Sequence, residues 1–284
     1  MAGQSFSVVN NLASVDAQRN LYFSNLGMNK TLARLSSGYR IVEAGDDAAG
    51  LAIANGLKAD ITALQQAVRN ANDGIALIQI ADGALSKLSD LLVRAVTLAE
   101  QAASETVGDN ERATIDVEYQ QLLEEINRVV SVANFKGERL FQTTGAVTKR
   151  IYVGDTQYQS FITISIAGAN GAGTDAMGLT NGTSTSNVRT TSNALWVLSS
   201  LQQAIASISR WRGTLGAQQN RLINSVAIIQ VQAQNLQAAE SVIRDANMAE
   251  EMVHMTKYQI LLQTGMSSLA QANASAQLVL TLFR

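Results

Sequence analysis

The sequence predicts a mainly α protein: a long α-helical coiled-coil bundle with a small β-hairpin region. Three observations carry this. Apolar residues recur at spacings of three and four over stretches much longer than an ordinary globular helix requires. Proline, the residue that breaks helix interiors, is absent from all 284 positions, where average usage of about 5% would supply about 14. Only in segment 135–166 does the apolar period change to two.

In chain order, Leu21, Met28, Leu32 and Leu35 fall on one face of a first helix. Leu57, Ile61, Leu64, Val68, Ala71, Ile75 and Ile78 then form a seam. It resumes, after a shift of one residue, at Ala81, Leu85, Leu88, Leu92, Ala95 and Ala99, which predicts one long helix with a local phase adjustment. Gly108-Asp109-Asn110 breaks it, and Ile115, Tyr119, Leu122, Ile126, Val129 and Ala133 mark a second helix. So short a connection predicts an antiparallel hairpin.

Lys136-Gly137 makes a turn, Ile151-Tyr152-Val153 reads as a short strand, and Ile162, Ile164 and Ile166 alternate with Thr163 and Ser165. Segment 167–192 is Gly, Asn, Ser and Thr with little apolar content, and reads as an exposed loop. Helical periodicity returns from Asn193 to Arg284, with Gly213, Gly216 and Gly265 as weak points. Near the end Met248, Met252, Met255, Leu262, Met266, Leu269, Ala276, Leu280 and Phe283 keep heptad phase, together with Gln259 and Asn273.

Composition narrows the chemistry. No cysteine means no disulfide, no thiolate metal site and no cysteine nucleophile. The only histidine, His254, lies in no His-Glu-x-x-His motif and reads as a packing or solvent-edge residue, so neither a metal site nor a cofactor is expected. The pairs Asp46-Asp47, Glu124-Glu125 and Glu250-Glu251 are adjacent in sequence. On a helix such neighbours diverge by about 100° and do not converge on a substrate, so caps and solvated faces are the expectation. Gly171-Ala172-Gly173-Thr174-Asp175-Ala176 imitates a dinucleotide fingerprint, but loop composition follows where a helix would have to start. The four methionines 248, 252, 255 and 266 read as packing residues of a heptad seam. A net charge of -2 gives no reason to expect nucleic acid. Polar residues interrupt every apolar run before about 18 positions, so no membrane span is expected. Residues 1–20 lack the basic and apolar regions of a cleaved signal, which alone would place the chain in the cytoplasm.

The terminal helix decides more. After Lys257 the next charged residue is Arg284, so this helix has little charged face for water. It is expected to be ordered only when neighbours surround it. An adhesive surface that does not close on itself builds rings or open helical filaments, and the pattern predicts a helical, self-assembling protein.

Several ordered blocks resemble bacterial flagellin, the subunit of the flagellar filament. They are Leu35-Ser36-Ser37-Gly38-Tyr39-Arg40-Ile41, then Gly45-Asp46-Asp47-Ala48-Ala49-Gly50-Leu51-Ala52-Ile53, then Arg69-Asn70-Ala71-Asn72-Asp73-Gly74. In the C-terminal half follow Leu215-Gly216-Ala217-Gln218-Gln219-Asn220-Arg221-Leu222, Ala239-Glu240-Ser241-Val242-Ile243-Arg244-Asp245, Leu269-Ala270-Gln271-Ala272-Asn273 and Val279-Leu280-Thr281-Leu282-Phe283-Arg284. The resemblance implies a non-enzymatic structural subunit whose terminal helices pair as a coiled coil in the inner tube of a homopolymer. It implies five segments: 1–45 and 244–284 for the inner tube, 46–166 and 193–243 for the core, and 167–192 as a short variable surface loop. Leu21, Met28, Leu32, Leu35, Met252, Leu262, Met266, Leu269, Leu280 and Phe283 are then the expected polymerisation contacts.

It further implies export as an unfolded chain through the flagellar type III channel. The cytoplasmic reading thus gives way to a secreted, extracellular filament. A flagellar export chaperone, a filament cap and hook-filament junction proteins are the implied partners. Animal toll-like flagellin receptors read a face to which Arg94, Leu98 and Glu118 correspond, although Val96 and Thr97 replace the usual second Arg and Glu. Ser184, Thr185, Ser186, Thr190, Thr191 and Ser192 are candidate O-glycosylation positions. The usual Phe-Asn-Gly turn is Phe135-Lys136-Gly137 here, Asn247 replaces an aspartate, and Ala276 replaces a common proline. Two other readings compete: a hook-filament junction (hook-associated) protein, which shares such termini, and an enzyme-bearing flagellin, for which 167–192 offers no room.

Overall fold

A computed structural model describes residues 11–141, 147–154, 160–166, 174, 179–181, 184–185 and 187–282. The elements are α1 (Leu12–Ser37), α2 (Ala48–Ala103), α3 (Asp109–Val132), β1 (Asn134–Phe135), β2 (Glu138–Arg139), β3 (Val147–Tyr152), β4 (Phe161–Ile166), β5 (Thr180–Asn181), β6 (Ser184–Thr185), α4 (Thr191–Arg244) and α5 (Met248–Leu282). Two compact units result. One is Met1–Ala59 with Asn235–Arg284; the other is Asp60–Gln234.

In the second unit the core is a heptad seam. Leu64, Ala67, Ala71, Ile78, Ala81, Leu85, Leu88, Leu92, Ala95, Ala99 and Ala102 of α2 are all fully or almost fully buried. Their spacing never slips, so the expected phase adjustment is absent. Val68 and Ile75, read from sequence as seam residues, are only half-buried, and Ala67 and Gly74 stand in the seam instead. Gly74 shows why: a Cβ there would lie 3.2 Å from Ile151, 3.3 Å from Ile164 and 3.3 Å from Leu222. A small residue is what lets the hairpin and α4 close on α2.

On α3 Ile115, Tyr119, Leu123 and Ile126 are buried, and on α4 Ala194, Val197, Leu201, Ala204, Ile208, Leu215 and Leu222. The antiparallel β3–β4 hairpin pairs Val147 with Ile166 through to Tyr152 with Phe161. It buries Ile162, Ile164 and Ile166 as their alternation predicts. Gly213 and Gly216 do not interrupt α4. That helix starts at Thr191, so the segment read as loop ends two residues earlier than expected.

Buried polar groups mark the joints. The guanidinium of Arg112, 11% exposed, donates to the carbonyls of Ala102 (2.9 Å) and Ser104 (2.9 Å), closing the end of α2. The Asp116 carboxylate, 5% exposed, accepts from the Val188 N–H (3.0 Å) and from Arg189 Nε (2.8 Å). Thr174, the one described residue of the fingerprint-like run, is buried and bonded to Asn127; the rest of that run lies outside the described residues.

Candidate assembly surface

The first unit is built on α1 and α5, whose Cα atoms come within 8 Å of each other. They run antiparallel. Asn11 donates to the Ala272 carbonyl at 3.0 Å, Gly265 faces Leu21, Gly27 faces Tyr258, and Arg34 pairs with Glu251 at 3.3 Å. Among the buried and half-buried positions of α1, 14, 17, 21, 24, 28, 31 and 35 form one stripe, with 27 and 34 beside it. Those of α5 step through 251, 255, 258, 262, 265, 269 and 272. Both sets alternate spacings of three and four, the signature of a coiled-coil seam.

The seam is capped by polar groups. Asn11 accepts from the Ser14 N–H (3.1 Å) to start α1, and Gly38 ends it in the left-handed region (φ 75°), donating to the Arg34 carbonyl (2.8 Å). Arg40 N–H donates to the Arg244 carbonyl (2.7 Å) and Ala246 N–H to the Gly38 carbonyl (2.9 Å), tying both helix ends together. Asp47 caps α2 through the Gly50 N–H (2.8 Å), and Asn247 caps α5 through the Ala249 N–H (3.1 Å). Asp46 accepts from the Val42 and Glu43 N–H groups and faces Lys30 (3.5 Å) and Arg34 (3.7 Å). Burial of its carboxyl opposes ionisation, but those N–H groups and the two cations outweigh it and hold the group below its ordinary value.

Leu21, Met28, Leu35, Leu262 and Leu269 occupy this intrachain seam, half-buried. Leu32 (45% exposed), Met252 (49%) and Met266 (58%) do not. The expected packing role of the methionines is corrected accordingly. Met255 faces α1, whereas Met248, Met252 and Met266 lie outside the seam, because Glu251 and Gly265 hold the positions that apolar periodicity assigned to their neighbours. The side chain of Leu280, and Phe283, lie outside the described residues.

Residues that the heptad reading passed over are as exposed: Leu12, Val15, Tyr22, Phe23 and Leu26 on α1, and Val253, Ile260 and Leu261 on α5. No two of α1's set share one seam with Leu21 and Leu35, so periodicity alone gave them no role. For Tyr22, Phe23, Leu26, Ile260 and Leu261 the signal was the absence of charge over 20–29 and 258–283. The pair therefore buries one apolar face internally and presents others, with an open groove of 490 Å³ lined by Leu21, Tyr22, Leu26, Leu262 and Met266. Coiled-coil helices with apolar residues beyond a single seam have further helices to meet.

Elsewhere Arg94 donates twice to Glu118 (2.6 and 3.0 Å) at the surface. Leu98 is 3% exposed. It stands in the α2 core seam's neighbourhood, so of the three residues assigned to one outward face only two are presented there. Ser184 and Thr185 form β6, Thr190 Oγ1 accepts from the Asn193 N–H at the start of α4, and Thr191 and Ser192 are helical; Ser186 lies outside the described residues. The polar run is thus not one loop. His254 is half-buried on α5. Among the described residues no cluster of His, Asp or Glu could hold a metal, and no helix is long and apolar enough to cross a membrane.

Two family models match the chain: the bacterial flagellin N-terminal helical region over residues 8–146 and the bacterial flagellin C-terminal helical region over residues 198–283. Flagellin FlaB2 of Treponema pallidum is 39% identical over 289 aligned positions, covering 96% of this chain and 98% of that protein. The flagellar filament 33 kDa core protein of Treponema phagedenis is 38% identical, with the same coverage. A solved structure of a putative flagellar hook-associated protein from Vibrio parahaemolyticus superposes with a TM-score of 0.57, covering 70% of this chain and 99% of that one; at 13% identity it shows a shared fold alone.

Proposed function

This chain belongs to the bacterial flagellin family, and we propose that it polymerises into the filament of the bacterial flagellum through the apolar faces that the α1–α5 pair leaves uncovered. The carrying observation is that one short helical pair exposes Tyr22, Phe23, Leu26, Leu32, Met252, Ile260, Leu261 and Met266 together. Burying a large apolar side chain contributes about 1.5–3 kcal/mol, so a few per interface suffice to drive association. Leu21, Met28, Leu35, Leu262 and Leu269 act one step earlier, by holding the pair in register. For the Leu280 side chain and for Phe283, which lie outside the described residues, the same role rests on their heptad phase in the sequence alone. That relatives covering almost the whole chain are named flagellin and filament core protein favours the filament subunit over the junction protein.

The role is structural, and no chemistry is required of it. We place the assembled subunit outside the cell, after export as an unfolded chain by the flagellar type III route with its chaperone, between the junction proteins and the cap. A chain without X-Pro bonds or disulfides meets no slow isomerisation or oxidation step on refolding. In an animal host, Arg94 and Glu118 remain to a toll-like receptor while Leu98 is turned inward, so weak activation of receptor-reporter cells is expected. Glycosylation at Ser184, Thr185, Ser186, Thr190, Thr191 or Ser192 would appear as excess intact mass.

The deciding experiment seeds purified monomer with short filament fragments beside a chain ending before Met248. Long filaments from the intact chain only are expected. A persistently monomeric intact chain would shift the assignment to the junction protein.

A further inference from the structure

A second surface, in the unit Asp60–Gln234, is charged. Asn70, Asp73, Leu77, Phe135, Lys136 and Tyr152 line an open cleft of 420 Å³ between α2 and the β strands, with Lys149 and Arg150 at its edge. Lys136 adopts a positive φ of 52°, unusual for a residue with a side chain. It is held there by Asp73 (3.0 Å) and by the Phe135 ring 5.3 Å away. Lys149 is answered by Glu138. Two cations are left over: Arg150, stacked on Phe161 at 4.3 Å, and Arg69, one turn from Asp73 on α2, which bonds only Gln66. Neither meets a carboxylate among the described residues.

The opposite excess sits at the turn joining α2 to α3. Residues 100–111 contain Glu100, Glu105, Asp109 and Glu111 and no Lys or Arg. Asp109 is answered by Arg112 and Glu111 by the Gly108 N–H. Glu100 and Glu105 are exposed and make no ion pair among the described residues. From Asp73 to this turn α2 runs unbroken for 30 residues, about 45 Å at 1.5 Å per residue. A stiff helix of that length prevents the chain from satisfying its own excess.

We infer that the α2–α3 turn of one subunit docks, through Glu100 and Glu105, against Arg150 of this cleft and Arg69 beside it on α2, in a second copy of this chain. The contact is heterologous: each copy offers a turn and a cleft on different surfaces, so head-to-tail repetition builds a ring or an open filament, with successive copies offset along α2 by about 45 Å. This rests on the self-assembly proposed above and adds an electrostatic contact to its apolar one. Opposite charges meeting at a partly exposed rim make growth weaken as salt rises.

Charge exchange tests it in the full-length chain. Arg69→Glu/Arg150→Glu and Glu100→Arg/Glu105→Arg should each raise the critical concentration for seeded growth by about tenfold at low salt, and the fourfold exchange should return it to within about threefold of the natural value. None of the four residues makes an ion pair within the described residues; since Arg150 stacks on Phe161 and Arg69 bonds Gln66, the chain with both arginines reversed is compared with Arg69→Gln/Arg150→Gln, which loses the same contacts, and the unfolding curves of these two monomers should superpose. An independent readout uses the absence of native cysteine: Arg69→Cys/Glu105→Cys should give a multi-rung covalent ladder on oxidation of filaments, each single variant none. Reversed variants that grow normally, an exchange no better than its parents, or a missing ladder in filaments that do form would each overturn the contact. Failure of the natural chain to extend seeds would instead overturn the self-assembly reading beneath it.

Discussion

The ring of Tyr258 occupies the space in which any side chain at position 27 would begin. Gly27 is therefore a socket and Tyr258 its knob, and about two turns further along the pair the roles reverse, with Gly265 receiving Leu21. Two reciprocal sockets fix both the close approach of α1 and α5 and their register.

Filling a socket should undo that register. Gly27→Val is expected to destabilise the α1–α5 pair by about 1–3 kcal/mol through overpacking, after allowance for the better helix propensity of valine than glycine. Adding Tyr258→Ala should recover part of the loss. Chemical denaturation followed by helical circular dichroism of the four chains of this cycle measures the coupling; additive effects would show that the two residues do not meet.

Acid should weaken the first unit through Asp46. Its folded pKa lies below the ordinary carboxylate value of 3.8, so its contribution is complete above about pH 4 and is lost as pH falls through the folded value. Stability of the natural chain should therefore drop more steeply than that of Asp46→Asn as pH falls below 3.8, with the two curves parallel well above it. Parallel curves throughout would remove Asp46 from the account.

Arg112 should be irreplaceable in the second unit. Arg112→Met keeps the bulk but leaves the Ala102 and Ser104 carbonyls without their donor, at an expected cost of about 2–3 kcal/mol. Arg112→Lys should rescue little, since one ammonium cannot reproduce the planar fork. Thermal unfolding of the three proteins distinguishes these outcomes.

Met252 and Met266 should matter to assembly more than to the subunit. Replacing both by Lys should change monomer unfolding by no more than about 0.5 kcal/mol, because both are exposed, yet abolish seeded growth. Replacing both by Leu should preserve growth and alter the supercoil of the filament, as branched side chains repack less readily than methionine. Electron microscopy of filaments from the two variants provides both tests.

Element types were legible in the sequence because long runs of spacing three and four have no other reading, and the hairpin was legible because Ile162, Ile164 and Ile166 alternate. The face each helix turns inward was less so. At position 67 the seam holds Ala and not Val68, at 74 Gly and not Ile75, at 265 Gly and not Met266. Apolar periodicity measures which side chain gains most from leaving water, whereas backbones that approach closely select for the side chain that takes least room. The polar joints were hidden for a different reason. Arg112 and Asp116 are buried by what they bond, and neither the Ala102 carbonyl nor the Val188 N–H is visible as a partner until the chain has folded.

Asp116 also has a consequence outside the core. The chain between β4 and α4 is fastened to α3 at two places, Thr174 to Asn127 and Val188 with Arg189 to Asp116. Sequence inserted between those fasteners pulls on neither end, and lengthening a closed loop costs free energy only as the logarithm of its length. Between them Leu179 is itself fully buried and donates its N–H to the Thr174 carbonyl, so the connection from β5 to β6 is the natural display position, where a foreign epitope or a whole folded module could be spliced in while the helices beneath keep their packing.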